Sequence, residues 1–354
     1  MGDQPFTSQQ YSQQLDQILT AGLGLFPINV RGKTVVLKPN LVDYIPGNAI
    51  NTHPVLVLAA AESFRHRGAK SVVVAEGPGY QRDTRLVLSQ SGYEQCLRDE
   101  KIRFIDLNRD ELIRTQLRAA YTGMKCLWIP RTVLETDFVG SMPKIKTHHW
   151  SGVTLSMKNM FGVLPGARYG WPKNILHWKG IQESILDLCA TVPVHFVIAD
   201  GIVAMEGNGP LNGTIRPLGR IVLADDPVAA DATCARLMGF KPRRIVHIRE
   251  GSRFPGNSVL STSSRLEKPL MRPQLPSRWF QSFKIFVWRD GTFSGSEDTD
   301  RPALSWSQRS SSRQAPYCER SVDSCLGLFS CFGSGCVCGP PADSSHRSEC
   351  GRSF

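Results

Sequence analysis

Thr34-Val35-Val36-Leu37-Lys38-Pro39-Asn40 opens the stretch whose reading decides the fold. Thr34 to Leu37 is a short run of strand-forming residues, and Pro39 closes it. A helix follows from Pro54 to Arg67, with Thr52 as N-cap or His53 as the residue before a first-turn proline, and Gly68 as terminator. Ser71 to Ala75 is then a second apolar strand that ends at Glu76-Gly77-Pro78-Gly79. Two strands joined by a helix of this length pair in parallel through a right-handed crossover.

The alternation continues outward from there. A helix is expected over Thr84 to Ser91, and a strand over Arg103 to Leu107. Upstream, Tyr11, Leu15, Ile18 and Leu19 recur at helical spacing within residues 1–20. Downstream, Asp137 to Met142 reads as a strand, Val153 to Phe161 as a helix, Ile181 to Cys189 as another helix, and His195 to Ala199 and Arg220 to Ala224 as strands. Asp226-Pro227 opens the clearest helix, with Asp226 as N-cap and Gly239 just past the end. The order predicts an α/β fold: a mainly parallel sheet with helices on both faces, in one large domain over residues 1–258. Ligands in such sheets gather at the carboxyl ends of strands. Lys38, Asn40, Glu76, Lys144 to His148 and Asp200 to Glu206 are expected there.

Residues 259–354 differ in kind. Six of the ten cysteines (Cys318, Cys325, Cys331, Cys336, Cys338, Cys350) crowd into this part, at spacings that match neither zinc knuckles nor an iron–sulfur run. Serine rises sharply and hydrophobic periodicity fades after Leu260. Two readings stay open: a low-order Ser/Arg/Cys-rich tail, or a segment read out of frame, since codons allowed for Leu260 to Arg265 encode Glu-His-Ile-Glu-Gln in a neighbouring frame.

Composition narrows the function classes. The net charge of +11 is spread along the chain without basic runs or a basic aromatic surface motif, so no nucleic-acid partner is expected. No apolar run reaches the ~18–20 residues of a bilayer span, and Met1 to Gln17 is polar, which predicts a cytoplasmic protein with no membrane partner. Ser141, Ser151 and Ser156 lack the glycine frame of a nucleophile elbow.

The chemistry is densest from Met142 to His195. If Met142-Pro143-Lys144-Ile145-Lys146-Thr147-His148 is extended, Lys144, Lys146 and His148 share one face. Such convergence requires an answering negative charge, either an anionic ligand or the chain's own Glu76, Asp200 or Glu206. Lys38, Asn40, Lys144, Lys146, His148, Lys158 and Asn159 are therefore the candidate anion-binding residues. Asp200, Glu206 and His177 are the candidate catalytic residues, the last as a proton-transfer group near neutral pH. His53, His148, His149 and His177 with Asp200 and Glu206 could supply metal ligands only if the fold assembles them, because none of the histidines has helical metal-motif spacing. The loop Glu206-Gly207-Asn208-Gly209-Pro210-Leu211-Asn212-Gly213 is either an anion cradle or a tight turn.

Lys38-Pro39-Asn40-Leu41, Asn51-Thr52-His53-Pro54, Glu76-Gly77-Pro78-Gly79, Pro143 to His148, Ser156-Met157-Lys158-Asn159, Asp200-Gly201, Met205 to Pro210 and Asp226 to Asp231 occur in an order that resembles the domain of unknown function 362 family, from about Arg31 to Gly256. The family is largely uncharacterised. The resemblance implies a redox- or metal-linked enzyme, or a non-catalytic binding or electron-transfer accessory protein with an iron–sulfur redox partner. Some members carry ferredoxin-like iron–sulfur modules or twin-arginine export signals, neither of which this sequence shows, and the sequence assigns no cofactor.

Overall fold

Alternate residues of the central strands feed two different cores. Val35 and Leu37 pack with Phe26, Leu56 and Phe64, whereas Val36 packs with Met157, Met160 and Leu186. That period-two division is what a sheet covered on both faces requires. Each fully buried Val, Leu or Phe contributes roughly 1.5–3 kcal/mol, so both cores hold the sheet strongly.

The computed structural model describes residues 15–79, 82–170, 174–253, 284–289 and 292–295. In chain order the strands are β1 (Thr34–Pro39), β2 (Ser71–Glu76), β3 (Arg103–Asp106), β4 (Leu112–Gln116), β5 (Cys126–Pro130), β6 (Phe138–Met142), β7 (Lys144–His148), β8 (Gly152–Thr154), β9 (Phe196–Asn208), β10 (Asn212–Ala224), β11 (Ile285–Arg289) and β12 (Thr292–Gly295). The main sheet runs β12-β11-β10-β9-β6-β1-β2-β3, with β7 added beside β9 and β8 beside β7. Parallel pairing joins β3, β2, β1, β6 and β9, while β9 to β12 are antiparallel. The mainly parallel α/β architecture is thus present. β4 and β5 form a separate two-stranded sheet that the sequence reading did not foresee.

Helices Leu15–Gly24, Pro54–His66 and Tyr93–Asp99 cover one face, and helices Ser156–Met160, Ile181–Thr191 and Pro227–Leu237 the other. Of the two starts left open for the Pro54 helix, the residue before the proline is the cap and Thr52 is not. His53 is the N-cap of the Pro54 helix, its Nδ1 accepting from Val55 N at 3.3 Å. Asp226 caps the Pro227 helix by accepting from Ala229 N at 2.7 Å.

Three expectations require correction. The strands expected at His195–Ala199 and Arg220–Ala224 are the ends of two 13-residue strands, β9 and β10, paired as one long hairpin. Asp200-Gly201 is therefore inside a strand. A Cβ at position 201 would lie 2.7 Å from Ile145 Cδ1 and 3.0 Å from Arg220 O, so this glycine serves a close approach of neighbours. Val153 and Thr154 lie on β8, and the helix begins at Ser156. Finally, β11 and β12 extend the sheet edge past the boundary expected at residue 258. The other tail residues, 259–283, 290–291 and 296–354, lie outside the described residues, as does Tyr11 in the N-terminal helix expectation.

No described helix is long and apolar enough to cross a membrane.

Candidate functional site

Parallel pairing of β1 with β2 sets Lys38 and Glu76 at adjacent carboxyl ends. Lys38 Nζ donates to Glu76 Oε1 at 2.5 Å and to Asn159 Oδ1 at 3.2 Å, and both ionic side chains are about 1% exposed. Asn40 Nδ2 shares the same Asn159 oxygen at 3.3 Å. Asn159 Nδ2 returns to Lys38 O and Ser141 Oγ. Glu76, Lys38, Asn159 and Asn40 are consequently one connected polar wall. Gly162 closes against it: a Cβ there would lie 2.8 Å from Lys38 Nζ and 2.9 Å from Glu76 Oε1.

Helix Ser156–Met160 carries Lys158 and Asn159 to this place. The fully buried Asp231 carboxylate accepts from Ser156 N at 2.6 Å and Met157 N at 2.9 Å, satisfying the first amides of that helix. Asp231 thus acts as a remote cap, in addition to sitting in the Pro227 helix where the sequence placed it.

A cavity of about 360 Å³ opens beside the wall, lined among others by Asn40, Glu76, Lys146, His148, Lys158 and His177. Lys146 lies on β7 opposite Thr154 of β8. It is fully buried, and its Nζ donates to Ile50 O at 2.7 Å. Burial holds its pKa well below the usual lysine value, reinforced by Lys158 and Lys144. Lys158 Nζ sits 4.5 Å from the centre of the Phe161 ring. Desolvation, with Lys38 adding repulsion, lowers the Lys158 pKa to about 8. Neither Lys146 nor Lys158 makes an ion pair among the described residues.

One rim of the cavity is aromatic. His148 stacks on His149 with centroids 5.0 Å apart, His149 meets Trp150 at 4.8 Å, Trp150 meets His177 at 4.8 Å, and His177 meets Phe161 at 5.5 Å. His148 Nδ1 accepts from Trp150 N and Ser151 N at 3.1 and 3.3 Å. That acceptor role fits a neutral ring, and burial pushes the His148 pKa far below the ordinary histidine value. His149 approaches Gly209 O through both its backbone N, at 3.1 Å, and its Nδ1, at 2.9 Å. The glycine-rich segment is therefore the tight connection between β9 and β10. Gly207 O and Gly209 O are used by Thr147 and His149, and Gly207 takes a positive φ of 79°, as the tight-turn reading expects.

Seven of the ten candidate residues gather in this region: Asn40, Lys146, His148, Lys158 and His177 line the cavity with Asn159, and Lys38 stands directly behind Glu76. Lys144, Asp200 and Glu206 do not line it. Lys144 Nζ bonds Asp200 Oδ2 at 2.9 Å inside the sheet, where Asp200 is wholly buried and also accepts from His53 N and Ile202 N. Glu206 lies 3.7 Å from Arg216 across the β9–β10 ribbon. The expectation that Asp200 and Glu206 are acid/base groups of the cleft is corrected accordingly: strand pairing draws both into structural contacts. Among the described residues, no group of three His, Cys, Asp or Glu comes together to hold a metal ion. The sequence reading missed Trp150, Phe161 and Gly162 as lining residues, and treated Glu76 only as a partner for lysine. The lysine to serve as its cue was Lys38, at the equivalent strand end.

The model of a family described as Domain of unknown function (DUF362) matches residues 35–236. The chain is similar to the Thylakoid-associated protein sll1697 of Synechocystis sp., with 26% identity over 250 residues, 69% of this chain and 74% of the relative. Among solved structures, the lactate racemase apoprotein from Thermoanaerobacterium thermosaccharolyticum aligns with 14% identity and a TM-score of 0.39, covering 57% of this chain and 51% of that one. A protein from Thermotoga maritima aligns with 13% identity and a TM-score of 0.31, covering 61% and 55%. The chain spans about half the length of each of these two structures.

Proposed function

The chain belongs to the domain of unknown function 362 family, and from that premise we propose that its strand-end cavity binds an anionic small molecule. One observation carries the reading: Lys146 and Lys158 line the cavity without an ion pair among the described residues, and Glu76, the carboxylate that acts on both through space, is already paired with Lys38. Keeping two amines this close in a desolvated place is costly while they are charged, and a bound anion offsets that cost. Lys158, with a pKa of about 8, is suited to exchange a proton with such a ligand, and His177 borders the same space, so an enzymatic role is part of the proposal. The cytoplasm is the proposed location; the thylakoid association named for the relative is the competing one, and cell fractionation separates them.

Calorimetric titration of the whole chain with inorganic phosphate and with oxalate tests the pocket. Binding by either, with loss of at least tenfold in affinity in Lys146→Met, is the expected outcome. Affinity that survives the substitution unchanged removes Lys146 from the site and contradicts the reading.

A further inference from the structure

The cavity asks for more than negative charge. Glu76 Oε2, Asn40 Oδ1 and Thr154 Oγ1 are buried on its lining and accept or donate no hydrogen bond among the described residues. The first two are acceptors with nothing to accept. Glu76 spends Oε1 on Lys38, and Asn40 spends its amide on Asn159, so the opposite oxygen of each is left over. An unanswered buried acceptor is unfavourable, and here two of them share the cavity lining with amines that call for an anion.

Resting on the anion-pocket reading, we propose that the ligand carries a hydrogen-bond donor next to its charge: a hydroxyl-bearing carboxylate or phosphate monoester. Its charged group answers Lys146 and Lys158, and its hydroxyl donates to Glu76 Oε2. A bare cation on those oxygens is disfavoured, because Lys38 is already 2.5 Å from Glu76 and Lys158 borders the same space. A ligand without a donor leaves these acceptors unanswered, whereas a hydroxylated ligand supplies the missing hydrogen bond. Gly162 contributes by letting the opposite wall approach the Lys38–Glu76 pair within contact distance.

The test is a matched series titrated into the whole chain: glycolate against acetate, and glycerol 3-phosphate against methyl phosphate. The hydroxylated member of at least one pair should bind about tenfold or more tightly, the worth of a hydrogen bond to a charged group, and the pair that shows it identifies the anionic head. Glu76→Gln is the second arm. Lys38 retains the amide oxygen, the cavity receives an N–H donor in place of an acceptor, and the hydroxyl preference should fall to near unity. Equal affinity within both pairs overturns this inference while leaving the anion pocket standing. Failure of all four to bind overturns the pocket itself. Binding that appears only when Mg²⁺ is added assigns the spare oxygens to a cation and also overturns the inference. If Glu76→Gln does not fold, the wild-type series decides alone.

Discussion

Lys144 and Lys146 stand two residues apart on β7, both 2% exposed or less, yet they live in different environments. Lys144 meets Asp200 within the sheet, at 2.9 Å. Lys146 donates to the Ile50 backbone carbonyl, makes no ion pair among the described residues, and lines the cavity. The difference comes from the neighbour strands. Parallel pairing with β9 sets Lys144 opposite Asp200, while the register irregularity that follows sets Lys146 opposite Met205. One lysine is fastened to a carboxylate inside the sheet and the other lines the cavity of the proposed anion site, although their sequence contexts are nearly the same.

Substitutions at the two positions should break the comparison in opposite ways. Asp200→Ala leaves Lys144 buried without its carboxylate and removes the acceptor for His53 N; denaturant unfolding should show a loss of about 3–5 kcal/mol. Asp231→Ala orphans the amides of Ser156 and Met157, and should cost about 1–3 kcal/mol in the same measurement while weakening anion binding through misplacement of Lys158. Lys146→Met should differ from both, with stability changed by less than about 1 kcal/mol or improved, since it replaces a desolvated amine by an apolar side chain of similar length. Stability lost at Lys146→Met to the extent seen at Asp200→Ala would erase the distinction.

The pH dependence sharpens it further. Lys158 has a folded-state pKa of about 8 against 10.5 for the ordinary side chain. A lowered lysine pKa means the unfolded chain holds the extra proton between those values, so this residue's contribution to stability rises from pH 8 towards 10.5 and is flat below 8. Anion binding follows the opposite sign. The bound state favours the charged amine, so above pH 8 the site must take up a proton, and affinity should fall by up to about tenfold per pH unit. Titration calorimetry from pH 7 to 10 in two buffers of different ionisation enthalpy reads both the affinity and the proton uptake.

Much of this arrangement was legible before the structure. The parallel core followed from Thr34–Leu37, Ser71–Ala75 and the helix between them, because strand-forming runs and a proline-started helix leave few alternatives. The caps at His53 and Asp226 followed from local chemistry. Lys146, His148, Lys158 and His177 were singled out by residue type, and they do share one cavity. What was hidden was partnership across the sheet. Asp200-Gly201 carries the composition of a turn, yet the glycine is there to admit Ile145, and the aspartate is consumed by Lys144. Glu76 looked like a simple counter-ion; the three-dimensional placement of Lys38 leaves its Oε2 buried without a hydrogen-bond partner among the described residues, on a side chain that lines the cavity. Aromatic lining by Trp150 and Phe161 arises from a bend after β7 and a short helix, which no periodicity encodes.

The most direct test is a side-chain NMR titration of Lys158, labelled at its Nζ and assigned by Lys158→Arg, with and without saturating inorganic phosphate. A pKa near 8 that moves upward when phosphate is added is the result expected of an amine that awaits an external anion. A value that is the same in both conditions, in a protein that remains folded, contradicts the account.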